Sequence, residues 1–556
     1  MDASLRAIFK FIRVLFCYTD ITPDLCLRNL KINVMRGKIK LALMALVMMA
    51  CSKEGLSDGS SHEFDYQLGI SHGEIVLGER LENPYKTENI TKALNSLYPT
   101  KAGDFDVRTT DLYVRFLPAS QAEYDSLSAR GLRMFDHPMD YAIEVQGDWY
   151  HDPEIPAGEI TWQYTVVPVD FQFPDIRYEV IDECYIAEND ASTKANDGVN
   201  WEEVERHAYM LTGNDSMLVP QSRSSDSVRP KGRITVVDKH YNGGKAIGVA
   251  GVMVSCNSFV KTDDVYTDGN GYYEMTKKFS ANLNYRIVFD NKEDFSIGLN
   301  LVLVPASVSN LGKAAPSGLS VTINKDSGDV LFKRCVVNNA VYDYIKRCSA
   351  SDLNLTPPPA GLRIWILHNL KYSGAVMMHQ GALLDNNLFK TFLGEYAGLI
   401  RIFLPDLAIG LKSDNDYRDI YATTCHELAH SSHFAKVKVD YWNTYLKYRI
   451  KALVSGLSYG DGKGTGAGNC EVAEMWAYYM ESLMYKGRYG GDFPSYGNGY
   501  WFKPEILRYL HKNGFSCNNI FSVLNSDVDS KDDFEKELIN KFSSRRTKIV
   551  QAFDKY

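Results

Sequence analysis

Apolar residues recur at every second position in several short segments of the first half of the chain, which is the period of a half-buried β-strand. Asp111–Phe116 and Ile160–Val166 are the clearest of these segments. Ala119–Gly131 instead has the spacing of a short helix, and an amphipathic helix is expected near Trp201–Leu211, in the connector that follows. Together with the intervening Pro and Gly residues, the pattern predicts a β-rich α+β domain over residues 74–190.

A second group of alternating segments follows a Ser/Asp/Asn-rich connector over residues 191–229. Gly232–Asp238 and Val249–Val254 predict strands, and Thr267–Tyr273 predicts a Gly-containing turn that closes a hairpin. The Gly-x-Ile-x-Val, Gly-Val-x-Val and Thr-Asp-x-x-Gly-x-Tyr phrases of this stretch resemble the carboxypeptidase regulatory-like family of small β-sandwiches. The resemblance implies a sandwich over residues 230–308 with a structural or adhesive role and without catalytic residues.

The last part of the chain combines strand-like segments with longer helical patterns. Gly361–His368 and Gly398–Leu404 predict two buried strands. A helix is expected from about Asp416, and a second one over Cys470–Met480 after a Gly-rich loop. These elements predict a C-terminal α+β domain over residues 320–556 and a multidomain α+β fold for the whole chain.

The first of these helices carries His426-Glu427-Leu428-Ala429-His430. The two histidines are four residues apart, about 6 Å along one helix face, so both rings can reach one metal ion. Glu427 is offset by one residue and is free to take a proton as zinc-bound water attacks a carbonyl group. This is the HExxH arrangement of zinc peptidases, and it predicts Zn²⁺ as the cofactor. The competing interpretation is a surface helix with two solvated histidines.

A catalytic zinc needs a third protein ligand. His433 lies on the same helix face, but it is about 10 Å from His426 along the axis. No glycine occurs between His426 and Val454 to break the helix. His433 is therefore an alternate ligand, and a position in the wall of the site fits it better.

The second helix offers two carboxylates. Glu471, Glu474 and Tyr478 share one side, opposite an apolar stripe of Val472, Trp476, Tyr479 and Leu483. Two carboxylates without a cationic neighbour repel each other unless a metal compensates them, whereas the ordinary alternative is a solvated acidic face. Periodicity alone does not choose between Glu471 and Glu474.

Glu474-Met475-Trp476-Ala477 matches the Glu-x-aromatic-Ala signature of the gluzincins, which the chain resembles through this phrase and HExxH. The resemblance implies a zincin-like domain with Glu474 as third ligand, and Glu471 as a carboxylate that orients a histidine or as an alternate ligand. It also implies that the phenol of Tyr478 supports the oxyanion. The whole layout is similar to zinc-binding metallopeptidase lipoproteins of gut Bacteroidetes.

The lipoprotein part of that layout lies near the start of the chain. A cationic segment begins at Met35, an apolar run covers Leu41–Ala50, and Cys51 follows, as in a lipoprotein signal peptide over residues 35–50. Cys51 is the expected lipidation site, with an uncleaved anchor or a plain cleavage site as the alternative. Residues 1–34 are interpreted as an over-extended start, and residues 51–73 as a polar tether.

Composition narrows the function classes. Hydrophobic residues make up 45% of the 556 residues and charged residues 23%, which excludes a disordered, collagenous or multi-span membrane protein. The formal net charge of −8 gives no electrostatic footprint for nucleic acid. The cysteines beyond Cys51 are scattered and form no CxxC pair, so no disulfide framework or Cys-based zinc site is predicted. Cys335 and Cys348 are close enough in sequence to pair, but two buried thiols fit equally well.

Two functions from different classes fit this pattern. The first is a lipid-anchored, extracytoplasmic zinc metallopeptidase that acts on a protein or peptide substrate. It would contact the membrane through its N-terminal lipid, at the periplasmic or the surface face of the outer membrane. The alternative is a cell-surface binding or adhesion lipoprotein whose zincin-like domain is inactive or structural. Glu427 favours the first, because a structural zinc does not need a base beside its histidines.

Overall fold

The computed structural model describes residues 51–52, 73–100, 107–156, 159–190, 198–220, 227–298, 308–325, 329–351, 353–368, 372–382, 405–454 and 457–556. The fold is mixed α+β, as predicted. Its first strand, β1 (Cys51–Ser52), pairs antiparallel with Tyr372 and Ser373. The signal peptide over residues 35–50 and the predicted strand Gly398–Leu404 lie outside the described residues.

The N-terminal region contains two small sheets, a β2–β4 pair and a three-stranded sheet in the order β5–β3–β6. Its strands are β2 (Val76–Arg80), β3 (Asp111–Phe116), β4 (Tyr141–Val145), β5 (Gln163–Pro168) and β6 (Tyr178–Cys184), and its helices are α1 (Thr87–Leu97), α2 (Gln121–Ala129) and α3 (Trp201–Leu211). The prediction of β3 and α3 is confirmed to the residue. Helix α2 is shorter than expected at both ends, because the side chain of Ser120 caps its first turn and Gly131, with φ 79°, lies outside the helix.

The described residues between 231 and 323 contribute strands to two sheets. Their strands are β7 (Lys231–Val237), β8 (Ala246–Gly248), β9 (Val252–Ser258), β10 (Lys261–Tyr266), β11 (Tyr272–Glu274), β12 (Leu283–Asn291), β13 (Phe295–Ile297), β14 (Val308–Ala314) and β15 (Val321–Ile323). The predicted hairpin at Thr267–Tyr273 is wrong. Strand β10 pairs with β9, whereas β11 pairs with β7 in the other sheet, so the turn crosses between the sheets instead of closing a pair.

The sheet that contains β9, β10 and β12 continues beyond residue 308. Its remaining strands are β16 (Leu362–His368), β17 (Tyr372–Ala375) and β18 (Leu407–Leu411). Strand β13 pairs in parallel with β16, which pairs in parallel with β18, so nine strands form one sheet. One hydrophobic core extends from Ile234 to Phe553. The strands of the predicted sandwich therefore share a sheet with β16, β17 and β18 and a core with the C-terminal helices. The boundaries at residues 230–308 and 320–556 stay predictions.

The described part of the chain after residue 325 contains seven α-helices, of which α4 and α5 contact the sheet. They are α4 (Asp329–Cys348), α5 (Tyr417–Val454), α6 (Ala467–Tyr489), α7 (Glu505–Lys512), α8 (Cys517–Phe521), α9 (Lys531–Lys541) and α10 (Arg546–Lys555). In α6, every residue from Cys470 to Met484 except Glu471 is buried, so this helix is enclosed on all sides rather than on the predicted apolar stripe alone. Among the helices of the described ranges, none has the length and apolar character needed to cross a membrane. Cys335, Cys348 and the other five cysteines from Cys184 to Cys517 are buried free thiols.

Helix α5 is broken at Lys438, which has φ 73° and ψ −174°. This conformation is strongly disfavoured for a residue with a Cβ atom. A straight helix would place Tyr445 about 22 Å from His430 along its axis, yet the ring centroids of the two residues are 5.7 Å apart. The second half of α5 therefore turns back over the first half, a reversal that no glycine in the sequence signals.

We expect Lys438→Gly to raise the free energy of unfolding by about 1 kcal/mol, because relief of backbone strain outweighs the entropic cost of an added glycine. Lys447→Gly is the matched control: Lys447 is exposed and lies inside the second half of α5, so its replacement should lower the same free energy by roughly 0.5–1 kcal/mol. Urea denaturation of the two variants measures both changes. Destabilisation by both substitutions to the same extent would show that Lys438 is not strained.

Candidate metal centre

The first half of α5 presents two imidazoles to one point in the protein interior. His426 and His430 have 4% and 0% exposure, and their ring centroids are 4.9 Å apart. Burial lowers the pKa of His430, which favours the neutral imidazole that binds metals. The predicted alternative of two solvated histidines on a surface helix is therefore wrong.

Glu474 of α6 completes a group of three ligand atoms. Its Oε2 lies 3.5 Å from Nε2 of His426 and 3.7 Å from Nε2 of His430. Ligands bonded to a tetrahedral zinc ion at about 2.0–2.1 Å are separated from each other by about 3.3 Å. The two separations from Glu474 are thus close to this value, and the ligand atoms of the three predicted ligands all lie within 4.8 Å of one another.

The other carboxylate oxygen of Glu474 contacts two residues in the second half of α5, after the break at Lys438. The hydroxyl of Tyr445 donates to Oε1 at 2.9 Å, and Nε of Arg449 lies 3.8 Å from the same oxygen. Burial opposes ionisation of Glu474, but His430 and Arg449 hold its pKa well below the usual range. Glu474 is therefore ionised and oriented, with Oε2 directed at the two imidazoles.

Glu481 is a site residue that the sequence analysis missed. Its Oε2 is 3.2 Å from Nδ1 of His426, and its side chain is fully buried. A carboxylate on Nδ1 keeps the proton there and leaves Nε2 free to bind a metal ion. Glu481 follows Glu474 by seven residues, two helical turns, so extending the Glu474 and Tyr478 face by one more step would have found it.

Glu427 lies beside this cluster and is 1% exposed. Its Oε2 makes no hydrogen bond within the described ranges. Without a bound cation the pKa of Glu427 is raised to about 8, chiefly by burial; Glu474 and Glu481 contribute to the rise, whereas His426 and Arg449 oppose it. A bound 2+ ion would lower this pKa, so that the ionised carboxylate could accept a proton.

Tyr478 packs its ring against His426, with centroids 4.4 Å apart. Its hydroxyl is 2.7 Å from the hydroxyl of Tyr459 in the Gly-rich loop between α5 and α6. Gly497 lies close against the ring, since a Cβ atom there would be 2.6 Å from Cγ of Tyr478. The phenol is thus held beside the cluster, and its expected role in supporting an oxyanion stays a prediction.

Neither alternate ligand lies with the other three ligand atoms. Oε2 of Glu471 accepts a hydrogen bond from the backbone N–H of Lys531 at 3.3 Å, so the expectation that Glu471 orients a histidine is wrong and Glu481 has that role. His433 is fully buried, its ring packs against Tyr441 at 5.3 Å, and burial lowers its pKa to about 3. His433 is therefore a neutral wall residue, as its distance from His426 along the helix predicts.

The charges of the centre favour a divalent cation. Three buried carboxyl groups, those of Glu427, Glu474 and Glu481, lie near two histidines and the guanidinium of Arg449, and Arg508 interacts electrostatically with Glu481. Buried charges are costly unless they are paired or bound to metal, and a 2+ ion would offset the excess negative charge.

No protein family, curated protein or solved structure matches the chain.

We expect Glu481→Gln to weaken zinc binding by 10–100-fold, because an amide does not hold the His426 tautomer as a carboxylate does. Glu471→Gln is the matched control, as it removes the same charge three residues before Glu474 from a position outside the cluster, and it should leave the affinity unchanged. Zinc titration against a competing chelator measures both variants. The reverse result would mean that Glu471 is the orienting carboxylate.

Proposed function

We propose that the protein is a zinc-dependent metallopeptidase of gluzincin-like type, exported and anchored to a membrane by a lipid on Cys51. The observation that carries the proposal is the close approach of His426, His430 and Glu474, with the buried carboxyl group of Glu427 beside them. Its substrate class is protein or peptide.

The donor set supports zinc over other common divalent ions. Two neutral imidazole nitrogens and one carboxylate oxygen are typical of catalytic zinc sites, whereas Ca²⁺ and Mg²⁺ prefer oxygen ligands throughout. The hydrogen bonds from Tyr445 to Glu474 and between His426 and Glu481 orient the two ligands before any ion arrives. Three protein ligands leave one position open, as in catalytic rather than structural zinc sites.

Each neighbouring residue then has a task in peptide hydrolysis. The metal ion, when bound, supplies Lewis acidity to the reacting carbonyl and water. Glu427 accepts the proton of the attacking water on its carboxylate and returns it to the leaving amine. Its burial suits it to both transfers, since a carboxyl group in a dry site has a raised proton affinity. The hydroxyl of Tyr478, released from Tyr459, donates a hydrogen bond to the oxyanion.

Trp476, the aromatic residue of the Glu-x-aromatic-Ala phrase, supports the likeness to gluzincins through a hydrogen bond. The indole N–H of Trp476 donates to the backbone oxygen of Ala429, inside the HExxH segment, at 3.0 Å. This bond ties α6 to α5 next to the ligands, so the phrase links the third ligand to the first two.

Glu427→Gln should retain stoichiometric zinc and the folded state but lower the turnover of an unstructured protein substrate by at least about 100-fold, since the amide does not accept the proton. Glu471→Gln again serves as a control and should keep turnover, while His430→Ala should lose zinc as well as activity. Metal content and hydrolysis of a fluorescently labelled casein are measured on each purified variant. Turnover that is absent in the zinc-loaded wild type would favour the binding or adhesion function.

For the anchor, Cys51→Ala should move the protein from the membrane fraction to the soluble fraction or leave an unprocessed precursor, because the lipid is attached through the Cys51 thiol. Expression from Met1 and from Met35 should yield the same mature N-terminus. Fractionation of cells and mass spectrometry of the N-terminus measure these outcomes. A soluble wild-type protein that begins upstream of Cys51 would exclude the lipid anchor without affecting the zinc chemistry.

A further inference from the structure

A cavity of about 50 Å³ lies where the N-terminal region packs against the nine-stranded sheet, apart from the metal centre. This volume has room for about four water molecules or for one small organic group. Its polar wall includes His137 and Gln163 from the N-terminal region, Arg286 from β12 and Asn310 from β14. Met134 and Ile75 supply apolar surface to the same wall.

Arg286 is the unusual member of this wall. It sits in the middle of β12, between Ser255 of β9 and Asn310 of β14. Its Nε and Nη2 are buried and make no hydrogen bond with the residues that the structure describes, and the same holds for Oγ of Ser255. The guanidinium lies 3.4 Å from the centroid of the Phe135 ring, a contact that stabilises a cation but satisfies none of its N–H groups. Burial lowers the pKa of Arg286 to about 9, so the group is charged at neutral pH.

Other arginines of this chain use the same two nitrogens to bind a carboxylate. Arg133 reaches the two carboxylate oxygens of Asp264 with Nε at 3.3 Å and Nη2 at 3.2 Å. Arg488 likewise uses Nε and Nη2 on Asp238. This edge of the guanidinium matches the planar, two-oxygen geometry of a carboxylate.

The two aspartates on the wall make their hydrogen bonds with groups other than Arg286. Asp136 accepts a hydrogen bond from the backbone N–H of Tyr150 and lies 2.8 Å from Nδ1 of His137, and its charge acts on Arg286 only through space. Asp148 accepts from the backbone N–H of Asn310 and pairs with Arg334 at 3.1 Å. Their negative charge also disfavours a doubly charged anion such as phosphate in the same space.

We propose that this cavity is a binding site for a small monocarboxylate, held by the guanidinium of Arg286. The carboxylate satisfies the Arg286 N–H groups, and its short apolar end contacts Met134 and Ile75. The site is independent of the proposed peptidase activity. Because a ligand with four non-hydrogen atoms has a limited binding free energy, the dissociation constant for acetate is expected no lower than about 40 µM.

Acetate binding to the full-length protein is measured by calorimetry or by saturation-transfer NMR. Acetate should bind to one site with a dissociation constant between about 40 µM and 10 mM, while acetamide, which has the same shape without the charge, and inorganic phosphate should bind at least tenfold more weakly. Arg286→Met should abolish acetate binding, and Arg286→Lys should weaken it at least tenfold because the ammonium group lacks the planar edge. Arg130→Met removes the same charge from an exposed position and should have no effect.

The His430→Ala variant tests whether acetate binds at the metal centre instead of in this cavity. Acetate bound to zinc would be lost in His430→Ala but kept in Arg286→Met. The proposal requires that acetate binding is kept in His430→Ala and lost in Arg286→Met. Equal binding of acetate and acetamide by the wild type, or no binding of acetate, would overturn it and leave a cavity filled by water. The same comparison of acetate with acetamide in the His430→Ala variant, which should hold no zinc, decides the question even if the Arg286 variants do not fold.

Discussion

The metal centre depends on the burial of three carboxylates in one contact network. Glu427, Glu474 and Glu481 are each at most 1% exposed, and an isolated buried charge costs several kcal/mol when its partner is missing. Arg449 offsets one of these charges through Glu474, and the remaining excess is negative. The arrangement is therefore stable only with bound protons or a bound cation, which explains why burial raises the proton affinity of Glu427 in the metal-free protein.

Helices α5 and α6 bury these carboxylates by packing closely against each other, and α5 reverses its direction once. The break at Lys438 folds α5 back so that Trp442, Tyr445 and Arg449 cover the histidines of its first half. Two indole hydrogen bonds tie the result to its surroundings. Trp476 of α6 donates to Ala429, and Trp442 donates to the backbone oxygen of Ala375 at the end of β17. The ligands are thus set by neighbours on α6 and on the sheet, which limits their freedom before a metal ion binds.

The regions that look like separate modules in the sequence are joined by specific contacts. The parallel pairing of β13 with β16 makes one sheet from both. At the end of α6, Arg488 binds the fully buried Asp238 just after β7 with Nη2 at 3.0 Å, and Tyr489 donates to the same oxygen at 2.9 Å. The helix that carries Glu474 and Glu481 is therefore anchored at its far end to the sheet that contains β7. These contacts tie the strands of residues 231–323 to the helix that carries the candidate metal ligand Glu474.

The sequence by itself determined the local features: strand β3, helix α3, the start of α5, and the placement of His426 and His430 on one helix face with Glu427 beside it. These follow from periodicities of two and 3.6 residues, which depend on neighbouring residues alone. The choice of Glu474 came from a family resemblance, and Glu481 was within reach of the same helix periodicity. Only the tertiary structure decided the positions of Tyr445 and Arg449, because the reversal at Lys438 has no glycine or proline to mark it. It also decided the joining of β13 to β16 and the burial of Arg286, since both depend on packing between segments far apart in the chain.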